Sequence, residues 1–120
     1  MRNQADVKEL GKTALKTIIE KNHAAFEALF QPSFRTFVPE AAIFNGVADQ
    51  ISSFFPTSLD VDAATLTFLK IDSLPAAQNT DIYSYEYKTK DNKAIIVHVG
   101  VSSIDLSDNS LHLFYLQPVG

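Results

Sequence analysis

The chain has 120 residues, of which 46% are hydrophobic and 20% charged, so it is long enough for one domain with a buried core and too apolar for a disordered chain. Its formal net charge of -4 and its lack of a dense lysine and arginine cluster argue against a nucleic-acid partner. Cysteine is absent, which excludes disulfides, thiolate metal sites and a cysteine nucleophile.

The first half of the chain is predicted to be helical. Apolar residues recur every three to four positions over residues 5–30, with charged residues between them, as is typical of amphipathic helices. The spacing slips by about one residue near Asn22, which predicts a long helix followed by a short helix that Asn22 caps. A third helix is predicted from Pro39 to Phe55, because proline is favoured in the first turn of a helix and Pro56 ends the pattern.

The second half is predicted to form four antiparallel strands, since the apolar period there changes to about two. The strands are expected at Leu66 to Ile71, over residues 82–90, over residues 93–106, and in a last segment that ends near Pro118. Asp91-Asn92 and Asp108-Asn109 are predicted as tight turns, because Asx residues tolerate positive φ. The chain is therefore predicted to be one α+β domain, residues 1–120, with helices over about 5–55 and a sheet over about 64–118.

A stripe of alternating tyrosines at positions 83, 85 and 87 shares one face of the predicted sheet. With the turn centred on Asp91-Asn92, Tyr85 is expected to oppose His98, and the second turn adds residues of the last strand to the same face. Such an amphipathic wall suits a ligand pocket, and an ordinary half-exposed sheet is the alternative. The candidate ligand-binding residues are Tyr83, Tyr85, His98, Tyr115 and Gln117.

His98 is also the candidate catalytic residue, because it is the only predicted strand residue with acid–base chemistry beside tyrosine hydroxyls. A hydrogen-bonded structural histidine is the alternative interpretation. Neither face of the predicted sheet is plainly polar, so we expect helices on one face and a second copy of the chain on the other, as a homodimer.

The order of elements, the helix-break phrase KNHAAFEALFQPSFR and the last strand LHLFYLQPVG resemble the nuclear transport factor 2-like superfamily, in particular its small bacterial members of unknown function. The resemblance implies N-terminal helices packed on a curved four-stranded antiparallel sheet that encloses a cone-shaped pocket. The chain departs from the pattern in having Asn22-His23 where relatives often have Gly-Asp, and in lacking much of the first strand of larger members. Cystatin-like domains, which also pack a helix on a curved sheet, are the alternative fold.

Enzymatic members of this superfamily, such as ketosteroid isomerases and polyketide cyclases, use the cone as a reaction chamber. The leading prediction for this chain is nevertheless a non-enzymatic domain that binds a small apolar or amphipathic ligand or a protein partner. The alternatives are an enzyme of the isomerase, cyclase or hydratase type, with His98 as base and Tyr85 or Tyr115 as donor, and an interaction module whose pocket is filled by its own side chains.

No cofactor and no metal site is expected, because the chain carries no ligand spacing or nucleotide-binding motif. Neither a signal peptide nor a membrane-spanning segment is visible. A cytoplasmic location is expected if the chain is complete, and the cell envelope or the exterior if a leader was removed.

Overall fold

The computed structural model describes residues 3–30, 45–46, 49, 66–73, 79–88 and 94–119. Its elements are α1 (Gln4–Ile19), α2 (His23–Ala28), β1 (Leu66–Ser73), β2 (Thr80–Lys88), β3 (Ala94–Ser102) and β4 (Leu113–Val119). The predicted α+β class is therefore confirmed. Most of the third helix predicted from Pro39 to Phe55 lies outside the described residues, and the three described there, Asn45, Gly46 and Asp49, are helical.

The break between the two helices is a helix-ending turn at Lys21, whose φ of 57° lies in the left-handed region. The Lys21 amide donates to the Ile18 carbonyl at 3.0 Å and the Asn22 amide to the Thr17 carbonyl at 2.8 Å, which is the Schellman pattern. Asn22 Oδ1 then accepts from the Ala25 amide at 3.2 Å and caps α2. The predicted long helix, short helix and Asn22 cap are confirmed.

The four strands form one antiparallel sheet in the order β1-β2-β3-β4. Both helices contact this sheet, and we call the face toward α1 the inner face and the opposite one the outer face. The sheet is not strongly curled, so the described residues show no cone. Neither described helix is long and apolar enough to cross a membrane.

The core lies between the inner face and the two helices. Gly11 of α1 is placed directly against Val99 of β3, where an added Cβ would lie only 2.8 Å from Val99 Cγ2. Phe26 of α2 contacts Phe114 of β4 with ring centroids 6.2 Å apart. Other core residues are buried to 3% exposure or less: Val7, Ala14, Leu15, Ile18, Phe30, Leu66, Ile95, Val97, Val101 and Leu111.

β2 and β3 pair one residue away from the predicted register. Tyr85 opposes Val97 instead of His98, and His98 opposes Ser84. A one-residue shift moves every side chain of one strand to the other face relative to its partner. The tyrosines therefore share the inner face with the valines of β3, and His98 lies on the outer face.

The turn predicted at Asp91-Asn92 lies outside the described residues, and the tight turn predicted at Asp108-Asn109 is wrong. β3 ends at Ser102, and residues 103–112, which we call the β3–β4 loop, connect it to β4. The chain turns early because Ser102 Oγ accepts from the amides of Ile104 at 3.3 Å and Asp105 at 3.0 Å. A turn centred on Asp108-Asn109 would place Tyr115 opposite Ser102. Tyr115 instead opposes His98, a shift of four residues that leaves its face unchanged.

Candidate functional site

The tyrosine stripe belongs to the core. Tyr83, Tyr85 and Tyr87 of β2 are 2%, 0% and 2% exposed and face the helical layer. The Tyr85 hydroxyl donates to the backbone carbonyl of Gln4 in the first turn of α1 at 2.9 Å. Burial, reinforced by the neighbouring Tyr83, raises the pKa of Tyr85 well above its usual range, so the hydroxyl stays protonated. Tyr85, which was predicted to line a pocket, therefore connects β2 to α1.

His98 is the centre of a hydrogen-bonded network on the outer face that joins three strands. Its Nδ1 lies 2.8 Å from Ser84 Oγ in β2, and its Nε2 lies 3.0 Å from Gln117 Oε1 in β4. The ring of Tyr115 stacks on the imidazole, with centroids 4.3 Å apart and planes 18° apart. Ser84 is 0% and His98 5% exposed, so this pair is enclosed, whereas Tyr115 and Gln117 are exposed.

Burial of His98 favours a neutral imidazole. Burial lowers the pKa of His98, and nearby Lys70 lowers it further, against the opposing effects of the Gln117 hydrogen bond and of Asp72. The tautomer of His98 that satisfies both of its hydrogen-bond partners has Nε2–H donating to the Gln117 oxygen and Nδ1 accepting from the Ser84 hydroxyl. Each polar group then has a partner, as enclosed groups require.

The order of serine, histidine and amide resembles a nucleophile triad, but its chemistry differs. A nucleophilic serine must reach a substrate, whereas Ser84 is 0% exposed. The third member, Gln117, is neutral and so lacks the carboxylate charge that stabilises an imidazolium in hydrolases. Both nitrogens of His98 are already engaged, so proton abstraction from a substrate requires one of these bonds to break. The arrangement is better suited to holding strands together.

The structure divides the five predicted ligand-binding residues between two faces. His98, Tyr115 and Gln117 come together on the outer face, while Tyr83 and Tyr85 lie on the inner face. The sheet separates Tyr85 from His98, so the predicted pairing of these two as donor and base is corrected. The five residues do not line one pocket, and the ligand-binding role of each stays a prediction.

A cleft lies elsewhere, between α1 and the β3–β4 loop, with a volume of about 590 Å³. Its apolar surface comes from both elements and includes Leu106, which is 50% exposed. Its polar residues include two carboxylates of α1 at positions 6 and 9. The lining consists of Asn3, Asp6, Val7, Glu9, Leu10, Thr13, Val101, Leu106 and Asn109.

The loop wall of the cleft is fixed by hydrogen bonds to Asp108, next to the lining residue Asn109. The amide and hydroxyl of Ser110 donate to Asp108 Oδ1, and His112 Nε2 lies 2.9 Å from Asp108 Oδ2. Burial opposes ionisation of Asp108, but the hydrogen bonds from Ser110 and His112 outweigh it and lower its pKa to about 2. The Leu111 amide also donates to the Leu29 carbonyl at 2.7 Å, which anchors the loop to the end of α2.

The sequence did not predict this cleft. Its polar α1 residues follow the spacing of a solvated helix face, which gives no sign of a neighbouring loop. Its loop residues fall in a segment that was predicted as strand and tight turn. The available signal was the dense run of turn-forming residues from 102 to 110, interrupted by Ile104 and Leu106, because such composition is typical of a longer loop.

Comparison of the chain with protein-family models, with curated proteins and with solved structures gave no match. The resemblance to the nuclear transport factor 2-like superfamily therefore stays a prediction. What is shown is an α+β protein with N-terminal helices and a four-stranded antiparallel sheet. Within the described part of the chain, no group of three or more histidine or acidic side chains is placed to hold a metal ion.

Proposed function

We propose that the domain is a non-catalytic binding module that takes a small amphipathic molecule in the cleft between α1 and the β3–β4 loop. The observation that carries this proposal is the cleft itself, whose volume of about 590 Å³ lies within the range of small-molecule sites. Its combination of apolar surface with a few polar groups is what such sites use to bind and orient a ligand.

The exposure of Leu106 supports this choice of site. Half of its surface is open to solvent although it lies beside the buried Val7 and Val101 in the cleft lining. Covering an apolar side chain of this kind contributes about 25 cal/mol per Å² of area removed from water. A ligand with an apolar portion gains this contribution at the cleft.

Two other locations are less favourable for ligands. The space between the inner face and α1 is filled by side chains such as Tyr85 and Leu15, both 0% exposed. The outer face presents the hydrogen-bonded network of His98. The described residues that line the cleft include no histidine, tyrosine, lysine or serine, and its carboxylates belong to exposed helix residues, which supports binding in preference to catalysis.

A titration of the ¹⁵N-labelled chain with 1-octanol, followed by amide chemical shifts, tests the proposal. We expect saturable shifts near Leu10 and Leu106 and none in β1, and we expect Leu106→Ser to weaken binding. Ile104→Ser is the matched control, because Ile104 is 73% exposed on the same loop and does not line the cleft. Equal effects of the two substitutions, or shifts spread over the outer face, would refute this site.

The homodimer expected from the sequence is a separate proposal. Tyr115 of the outer face is 39% exposed and Gln117 is exposed, which supports a contact surface there. Light scattering of the purified chain tests it, and a monomer at all accessible concentrations would exclude it.

A further inference from the structure

The charged residues in the described lining of the cleft are both acidic. Asp6 and Glu9 are three residues apart on α1, so their side chains are neighbours on one face of the helix. The described residues that line the cleft include no lysine or arginine. The β3–β4 loop, which forms the opposite wall, contains two aspartates, one of them paired with His112, and no lysine or arginine.

The nearest paired cation does not neutralise this surface. Lys12 lies 3.7 Å from a carboxylate oxygen of Glu9, whose side chain is 70% exposed. The Lys12 side chain is 26% exposed, and an ion pair of this length to a solvated carboxylate is weak. Asp6, also exposed, lies in the first turn of α1. Two carboxylates therefore stand beside an apolar surface in one cleft.

We infer that the cleft selects a small amphipathic amine, with its ammonium group beside Asp6 and Glu9 and its apolar portion against Leu10 and Leu106. This inference rests on the proposed function and adds the sign of the ligand's charge. Attraction to two exposed carboxylates favours a cation and disfavours an anion, while the apolar surface favours a chain of carbon atoms over a bare ion. The limited volume of the cleft fits a small molecule.

Three probes with the same eight-carbon chain test the inference: octylamine, 1-octanol and octanoate. We expect octylamine to bind about three- to ten-fold more tightly than 1-octanol, because each exposed ion pair contributes modestly, and octanoate to bind most weakly. Added salt should reduce the advantage of octylamine and leave 1-octanol nearly unchanged, since only charge interactions are screened.

The double substitution Asp6→Asn with Glu9→Gln should reduce the affinity for octylamine to that for 1-octanol, without changing the latter. Glu20→Gln is the matched control, because Glu20 caps the far end of α1 and does not line the cleft. Circular dichroism verifies that each variant is folded.

The outcomes separate the two proposals. If none of the three probes binds, the proposed function fails. If 1-octanol binds at the cleft and octanoate binds as tightly as octylamine, or if the double substitution leaves their ratio unchanged, the selection of an amine is refuted. Tighter binding of a short leucine–lysine peptide than of octylamine would refute a small molecule and point to a protein partner.

Discussion

Replacing Gly11 by alanine tests how closely α1 packs on the sheet. A Cβ at this position would lie 2.8 Å from Cγ2 of Val99. Carbon atoms in contact are normally about 3.5–4.0 Å apart. Val99 is 0% exposed and β-branched, so its side chain has little freedom to move away. We expect the overpacking to destabilise the fold by about 1–3 kcal/mol.

Helix propensity acts in the opposite direction, because alanine is favoured over glycine within a helix by about 0.8–1 kcal/mol. The expected net effect of Gly11→Ala is a loss of about 0–2 kcal/mol in the free energy of unfolding. Gly46 supplies a matched control, since it is helical and exposed and an added Cβ there would meet nothing within 4 Å. Gly46→Ala should therefore stabilise the chain by up to about 1 kcal/mol.

Urea unfolding followed by circular dichroism measures both effects. A loss in Gly11→Ala and a gain in Gly46→Ala would support the close contact between α1 and β3. The double variant Gly11→Ala with Val99→Ala should be less destabilised than the sum of its single variants, because the smaller side chain makes room for the new methyl group. Equal stabilisation by the two glycine substitutions would refute the reasoning.

Three further changes test the rest of the fold. Tyr85→Phe should lower the free energy of unfolding by about 1–2 kcal/mol, because the hydrogen bond from its hydroxyl to the Gln4 carbonyl is lost. Tyr115→Phe is the control, and because Tyr115 is partly exposed it should change the free energy of unfolding by less than about 0.5 kcal/mol. Equal urea midpoints of the two variants would contradict this prediction. As the pH falls from about 7 to about 5, the parent chain should lose stability, because the lowered pKa of His98 makes the native state bind fewer protons than the unfolded chain, whose histidine titrates near 6.5. The variant His98→Gln lacks this group and should lose less stability over the same range. Identical pH dependence of the two chains would contradict that assignment. Lys21→Gly should increase the free energy of unfolding by about 0.5–1 kcal/mol and so raise the melting temperature, because glycine adopts the left-handed conformation without strain. An unchanged melting temperature would contradict the left-handed turn at Lys21.

The sequence was sufficient for the elements whose signals are local. The period of apolar residues in α1 and the side chain of Asn22 each depend on neighbours within one or two helical turns, and both predictions are confirmed. The existence of all four strands also follows from local alternation. The predicted end of β3 was wrong because the side chain of Ser102 accepts hydrogen bonds from the backbone amides of Ile104 and Asp105. These bonds compete with strand pairing, and the alternation of apolar residues does not reveal them.

The register of β2 and β3 could not be obtained from the turn residues alone. Moving the centre of a turn by half a residue shifts the strand pairing by one residue, and every side chain then has a different partner. A better criterion was available in the strands. Pairing Tyr85 with Val97 and Tyr83 with Val99 packs apolar surfaces together and leaves the polar Ser84 opposite His98.

The network around His98 gives a physical reason why the observed register is preferred. It requires Ser84 opposite His98 in one pair of strands and Gln117 near His98 in the other, so it forms only when all three strands are aligned. In the register predicted from the turn, His98 lies on the same face as Tyr85 and Ser84 on the opposite face, so the bond between Ser84 and His98 is lost. Because an enclosed polar group without a partner costs about 1–3 kcal/mol, that alternative is penalised even where its apolar packing is acceptable. His98, which the sequence offered as the candidate catalytic residue, thus makes the two hydrogen bonds that favour the observed strand pairing.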